Sequence, residues 1–223
     1  MASYLLLGAG RFGRLALQRL AWQDPAAGFL MVDTSSLALT EARALANHGV
    51  QWVEAEAITF LAENLREDAP WDWIIPMVPV HVAVTWLRRG PLAGCGWEAA
   101  AVPDAVAHLA PQAIPGGPGE LYLSRATHLC PDDCPEPDTT CPVSGESRES
   151  ALYDELASLQ VPGFPVMVVA SRPLAPGVGG YSPRRLMALA QDMSGCTGKV
   201  LIATACRCHG VVQALEHRPG GLS

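Results

Sequence analysis

Five of the seven cysteines in the chain fall into two tight groups. The first group has C-x3-C-x6-C spacing and begins two residues after His128, and the second is a C-x-C pair followed directly by His209. The first group is Cys130, Cys134 and Cys141, and the second is Cys206 and Cys208. If the chain folds back on itself, five thiols and two imidazoles meet at one place.

Grouped thiolates are the ligands of soft metals. Four of them would close a tetrahedral zinc site or hold an iron–sulfur cluster. Each cysteine of the first group precedes a proline, as one ligand of bacterial ferredoxins does, whereas the C-x2-C knuckle of a zinc ribbon is absent. We therefore predict a metal centre with these five cysteines as candidate ligands, and leave iron–sulfur and zinc both open. A redox-active thiol pair is the alternative.

A glycine-rich segment near the start of the chain matches G-x-G-x-x-G, and it lies between a predicted strand and a predicted helix. The first glycine permits a tight turn, the second lets the backbone approach a pyrophosphate, and the third lets the helix pack on the strand. The helix N-terminus supplies N–H groups for phosphate. An acidic residue at the end of the next predicted strand would accept hydrogen bonds from ribose hydroxyls. The candidate cofactor-binding residues are Gly8, Gly10, Arg11, Phe12, Gly13 and Asp33.

This pattern predicts NAD as the cofactor. Asp33 would repel the 2′-phosphate of NADP, and the two residues after it, Thr34 and Ser35, offer no arginine to bind one. The alternatives are S-adenosylmethionine, an adenine nucleotide, and a Rossmann-like domain that binds no dinucleotide.

Residues 5–13 and 31–33 resemble the NAD-binding domain of Trk-type potassium-transport regulators, the TrkA-N or RCK family. The resemblance extends over roughly the first 100 residues. It implies a Rossmann fold, NAD(H) at the three glycines and Asp33, and a homodimer. The cysteine-rich second half departs from that family's pattern, so a role in potassium transport does not follow from the resemblance.

A second glycine-rich segment, residues 172–185, follows a predicted strand and leads into a predicted helix over 183–193. Its glycines, its three arginines and the helix start would suit a phosphate or a carboxylate. Tyr181 could donate a proton or a hydrogen bond. The segment therefore predicts a site for a small anionic substrate, and the alternative is a flexible connection with solvated arginines.

Predicted strands and helices alternate along the chain except in residues 111–142, which contain seven of the nineteen prolines. The alternation predicts an α/β fold, with a Rossmann-like parallel sheet followed by a cysteine-rich α/β C-terminal part. We expect a dinucleotide-binding domain over residues 1–110 and a metal-binding domain over residues 119–223. The last elements are predicted as a strand over 200–205 and a helix over 210–217.

Composition excludes several classes of protein. A hydrophobic content of 49% is too high for a disordered chain, and a net charge of −7 gives no basic field to attract nucleic acid or an anionic membrane. The sequence has neither a signal-peptide pattern nor a run of about 18 apolar residues. We expect a cytoplasmic protein, a compartment in which thiols stay reduced.

Together these patterns predict an NAD-linked redox protein with a cysteine-ligated metal centre, either an iron–sulfur cluster or zinc. The enzyme version would be an oxidoreductase that acts with a redox partner protein. The alternative is a non-enzymatic sensor that reads NAD or metal state and signals to a partner protein. A third interpretation is a structural zinc in a Rossmann enzyme whose substrate binds at residues 172–185.

Overall fold

A computed structural model describes residues 1–46 and 49–218. Its first half is a four-stranded parallel sheet in the order β3-β2-β1-β4. The strands are β1 (Ser3–Leu7), β2 (Gly28–Asp33), β3 (Val50–Glu54) and β4 (Trp73–Pro76). The helices are α1 (Arg11–Gln23), α2 (Ser36–Arg43), α3 (Ala57–Asn64) and α4 (Val82–Arg89). The central strand β1 is an almost wholly buried apolar run, as expected when helices cover both faces of a parallel sheet.

The second half forms a six-stranded sheet in the order β6-β7-β12-β11-β8, with β5 also paired to β12. Only β8 and β11 are parallel, and the other pairs are antiparallel. A separate hairpin, β9–β10, packs beside β4. The strands are β5 (Trp97–Ala99), β6 (Gln112–Pro115), β7 (Glu120–Ser124), β8 (Val166–Ala170), β9 (Arg172–Ala175), β10 (Val178–Gly180), β11 (Lys199–Ala205) and β12 (His209–His217). The helices are α5 (Asp104–Ala107), α6 (Leu152–Ser158) and α7 (Pro183–Ser194).

The predicted fold class is confirmed. The molecule is a mixed α/β structure whose parallel sheet is flanked by helices, consistent with a Rossmann-like fold. The Ala- and Leu-rich sequence of residues 36–47 predicts a helix over that range; the helix ends at Arg43, and Asn47 lies outside the described residues. No helix in the described ranges is both long and apolar enough to cross a membrane.

The prediction of a last helix over residues 210–217 is wrong. This segment is β12, which pairs with β11 along one edge and with β7 and β5 along the other. Pairing on both edges satisfies the backbone hydrogen bonds of a segment that contains the β-branched pair Val211 and Val212, and this tertiary context overrides the helical spacing. As a result, the C-x-C-H segment is the turn of a β-hairpin, in which Cys206 N–H donates to the carbonyl of His209 at 2.8 Å.

Among the described residues, one of the three buried hydrophobic clusters spans both sheets. Leu5 and Ile74 of the first sheet belong to the same buried cluster as Ile202 and Leu215 of the second. β5, which lies within the first predicted domain, pairs into the second sheet. The division into domains over 1–110 and 119–223 stays a prediction, and structurally the two parts are packed against each other.

Candidate functional site

The two cysteine groups meet at the turn between β11 and β12, because the loop that holds the first group folds back over the end of β11. His128 and His209 link the sulfur atoms in a chain. His128 Nε2 lies 3.8 Å from Cys141 Sγ and 4.0 Å from Cys130 Sγ. His209 Nε2 lies 3.7 Å from Cys130 Sγ, and its Nδ1 lies 3.9 Å from Cys206 Sγ.

The five grouped cysteines line two adjoining cavities. The larger has a volume of about 390 Å³, and the smaller, of about 120 Å³, is lined by Cys141 and His128. Cys208 and Arg148 line both cavities. The other cysteines of the larger cavity are Cys130, Cys134 and Cys206. We use the term cysteine site for the five grouped cysteines and Arg148.

Arg148 is the residue of this site that sequence reasoning missed. Its charge acts on Cys134, Cys141 and Cys208. Its Nη1 is buried and has no hydrogen-bond partner among the described residues. Arg148 lies in a stretch between the first cysteine group and α6 that has no regular structure and no periodic signal, so only the tertiary structure reveals its place among the thiols.

The thiols differ in how readily they ionise. Hydrogen bonds from the side chain and backbone of Ser144 lower the pKa of Cys141 to about 6. Burial, with a smaller contribution from Glu136, raises the pKa of Cys206 to about 12. Burial also raises the pKa of Cys130 and of Cys208. At neutral pH Cys141 is therefore the thiol most ready to act as a ligand.

As the side chains are placed, no three His, Cys, Asp or Glu residues within 1–46 and 49–218 form a group that could hold a metal ion. All five predicted ligands are free thiols. Cys141 and Cys208 are buried, and the other three are partly exposed. The structure thus brings the predicted ligands into one region, and their metal binding stays a prediction.

The predicted nucleotide loop has the geometry of a strand–glycine–helix turn. Gly8 has a φ of +108°, which only glycine adopts readily. A Cβ on Gly13 would lie 2.0 Å from the carbonyl oxygen of Gly8, so the close approach of α1 to β1 requires glycine there. Gly10, by contrast, faces open space at the start of α1, where a phosphate could approach.

Asp33 lies beside this loop and supports it. Its Oδ2 accepts the N–H of Ala9 at 2.6 Å, and its Oδ1 accepts the N–H of Ser35 at 2.8 Å. Each carboxylate oxygen has a second lone pair, so hydrogen bonds from ribose hydroxyls are still compatible with this arrangement.

The glycine loop and the cysteine site face the same large cavity. The sheet order reverses between β1 and β4, and in open α/β sheets ligands bind at the carboxyl ends of strands at such a point. Phe12, Pro76 and Met77 line the cavity from that side. The segments also touch directly, because Arg11 forms an ion pair with Asp132, which lies between Cys130 and Cys134.

The residues of the predicted anion site at 172–185 do not converge. Arg172 stacks on the ring of Tyr153 at 4.6 Å, whereas Arg184 lines a separate cavity with Arg66. A Cβ on Gly177 would lie 1.7 Å from the carbonyl oxygen of Asp132, so this glycine permits the hairpin to pack on the cysteine loop. Tyr181 is buried, and its hydroxyl has no partner in the described part of the chain. The small anionic substrate stays a prediction.

The position of His81 just after Val80 in sequence suggests a residue that faces the nicotinamide or lies at the surface, and the structure shows neither. It is buried at the start of α4, and its Nε2 lies 3.1 Å from Thr204 Oγ1 on β11. Burial lowers the pKa of His81 to about 4, so it is neutral at physiological pH. The residue joins the first half to the second and does not line the cavity.

Comparison with known proteins places the cysteine site within a family. Residues 71–218 match a family model described as "Uncharacterized protein, C-terminal domain". The chain belongs to this family. The matched residues include all seven cysteines and exclude the glycine loop.

A protein from Archaeoglobus fulgidus, described as "Uncharacterized protein", is 32% identical over 149 residues, which are 65% of this chain and 65% of the relative. The chain thus spans just under two thirds of the length of that relative. No solved structure matches the chain.

Proposed function

We propose that this protein is an NAD-linked redox protein in which a cysteine-ligated metal centre lies across one cavity from a bound dinucleotide. The observation that carries the proposal is the cavity of about 390 Å³, which has Phe12 from the first turn of α1 on one wall and four cysteines on the other. The resemblance of residues 5–13 and 31–33 to NAD-binding domains supports the choice of nucleotide.

The metal centre is inferred from the convergence of the thiols. Cys130 and Cys206 are 76 positions apart in sequence and lie on either side of the His209 ring. Free cysteines that meet from distant segments are typical of metal or redox sites. Since no three potential ligands converge as placed, binding requires these side chains to rotate towards a common centre.

The protein's own groups would act as follows. The N–H groups at the start of α1 would bind the pyrophosphate, and Asp33 would accept hydrogen bonds from the ribose. NADH gives up its two electrons together as a hydride, whereas an iron–sulfur centre takes electrons one at a time. Turnover through such a centre therefore requires a flavin or a redox partner protein that accepts the hydride, releases its proton and passes the two electrons on singly.

The contact between Arg11 and Asp132 favours a second candidate, a sensor. The helix start that would bind the pyrophosphate is linked through this ion pair to the loop that would bind the metal. A change at one site would therefore act on the other without turnover, and a partner protein would receive the signal.

The test is anaerobic titration with NADH, followed by addition of a free flavin as hydride acceptor and of ferricyanide as the final one-electron acceptor. We expect binding, and turnover in which each NADH reduces two ferricyanide ions and releases one proton. Gly10→Val should weaken binding at least about tenfold, while Gly195→Val, at a site equally free of neighbours, should not. Binding without turnover would support the sensor, and no binding would overturn the link to NAD.

A further inference from the structure

We infer that a further cavity beside the cysteine site binds the substrate of that site, and that this substrate is an uncharged, mainly apolar small molecule with a carbonyl or similar acceptor oxygen at one end. The cavity has a volume of about 410 Å³, within the range of small-molecule sites, and we call it the apolar cavity. The inference rests on the proposed function for the role of the molecule as a substrate, whereas its binding requires neither NADH nor a metal.

The apolar cavity adjoins the cavity that the glycine loop and the cysteine site share. Ser171, Cys206 and His209 line both of them. The backbone N–H of Ser171 donates to the carbonyl of Ala205 at 2.8 Å, which holds the segment after β8 against the end of β11. A molecule in the apolar cavity therefore lies next to Cys206 and His209 and leaves the shared cavity free for the dinucleotide.

One wall of the apolar cavity is a face of the second sheet. Tyr122 on β7 pairs with Ile114 on one side and with Val211 on the other. Val211 pairs in turn with Thr204 on β11. Paired residues point to the same side of a sheet, so these side chains form a row across four strands. Ile114 is 56% exposed and Tyr122 is 41% exposed, which leaves an apolar surface on which a flat ring can lie.

The lining of the apolar cavity differs in charge from that of the shared cavity. Within the described part of the chain, no Asp, Glu, Lys or Arg lines the apolar cavity. The shared cavity, by contrast, is lined by Asp132, Glu136 and Arg148. Burial of a charged group without a partner is costly, so the apolar cavity favours a neutral ligand.

The end of the apolar cavity next to the cysteine site offers a hydroxyl group that is fixed from behind. The buried His81 places its Nε2 3.1 Å from Thr204 Oγ1. The proton of neutral His81 belongs on Nε2, because Nδ1 has no acceptor among the described residues. His81 then donates to Thr204, and the hydroxyl hydrogen of Thr204 is free for an acceptor oxygen of the ligand. The ligand would therefore bind with its oxygen towards the cysteine site and its ring on Tyr122.

The first test compares two probes that differ only in charge at one end. The probes are 2-acetylnaphthalene, a neutral ketone, and 2-naphthoate, a carboxylate with the same rings. Equilibrium dialysis against the full chain without NADH measures the affinity of each. We expect the ketone to bind at least about tenfold more tightly than the carboxylate. Binding of neither probe, or tighter binding of the carboxylate, would overturn the inference.

The second test introduces a charge on the apolar wall. Ile114→Asp should weaken binding of the ketone at least about tenfold. Leu37→Asp is the matched control, because Leu37 is also exposed and lies on α2, outside the lining of the apolar cavity. It should bind the ketone as the wild type does. Unchanged binding in Ile114→Asp would contradict the proposed site, and so would a lower oligomeric state of this variant in size-exclusion chromatography, because the face would then be covered by another copy of the chain.

The third test removes the hydroxyl of Thr204. Thr204→Val keeps the shape of the side chain and should weaken binding of the ketone about fivefold, and Thr204→Ser should restore it. Naphthalene, which has no oxygen, should bind to Thr204→Val as well as to the wild type. An equal loss of affinity for naphthalene would show a change in the shape of the cavity and would overturn the role of the hydroxyl.

Titration of the same preparations with NADH separates this inference from the proposed function. Binding of the ketone without binding of NADH would overturn the link to NAD and leave the apolar cavity as a binding site. Binding of NADH without binding of the ketone would overturn this inference alone.

Discussion

The glycine loop and the cysteine site lie at the carboxyl ends of parallel strands and share a cavity, yet they are built in different ways. The glycine loop is held by backbone contacts among the first 33 residues of the chain, including the close approach of Gly13 to Gly8. The cysteine site is assembled from side chains on a loop and on a distant hairpin turn. Substitutions in the glycine loop should therefore lower stability through backbone strain. Substitutions in the cysteine site should instead lower metal binding, through loss of a ligand or of charge balance.

The largest effect is expected where backbone contact is tightest. Gly13→Ala places a methyl group against the Gly8 carbonyl oxygen and should lower the free energy of unfolding by about 4 kcal/mol. Gly10→Ala has open space around it and should change that free energy by less than about 1 kcal/mol. Urea denaturation of both variants measures the difference. Equal stabilities would show that the loop is not held by this contact.

The contact between the two halves of the chain should make the stability of the fold depend on pH, because the buried His81 of the first half lies against Thr204 of the second. Its pKa is lowered to about 4, from 6.5 in an unfolded chain, so the unfolded state binds a proton that the folded state does not. Its contribution is fully present above about pH 6.5 and falls by roughly 3 kcal/mol as the pH drops to about 4.

Urea denaturation at pH 7 and at pH 4.5 measures this loss, with His81→Gln as the comparison. The variant should lose less stability than the wild type over this interval, because it has no imidazole to protonate. The same pH dependence in both proteins would mean that His81 is not the group responsible.

Replacement of Asp33 shows how far the stability of the glycine loop and its affinity for NADH depend on this side chain. Asp33→Ala removes the acceptor of the Ala9 and Ser35 N–H groups and should destabilise the fold by about 1.5 kcal/mol. The same variant should lose NADH affinity by about tenfold, because the ribose loses its acceptor. Isothermal titration with NADH separates the two effects. Unchanged affinity would show that Asp33 serves only the loop.

The smallest effect is expected at Tyr181. Its hydroxyl is buried without a partner in the described residues, so Tyr181→Phe should be neutral or should stabilise the fold by up to about 1 kcal/mol. Thermal unfolding measures the change. A clear loss of stability would reveal a hydrogen bond to this hydroxyl and would restore the residue as a candidate proton donor.

The same contrast explains what the sequence could predict. β1, the glycine loop, α1 and β2 follow from local spacing, and the structure contains all four close to their predicted bounds. The spacing of residues 210–217 wrongly predicts a helix in place of β12, because the conformation of this segment depends on the strands that pair with it from both sides. The β9–β10 hairpin and the position of Arg148 are not predictable in this way, since a glycine-rich segment and a loop without regular structure have no period that indicates what they pack against.

The measurement that tests the account most directly is the iron, zinc and sulfide content of the anaerobically purified chain, taken together with its visible spectrum. We predict that the chain carries bound metal. About four iron atoms per chain, with a visible absorption that is bleached on reduction, would indicate an iron–sulfur cluster. One zinc per chain in a colourless protein would assign the cysteines a structural role. A colourless chain without iron or zinc would contradict the metal centre.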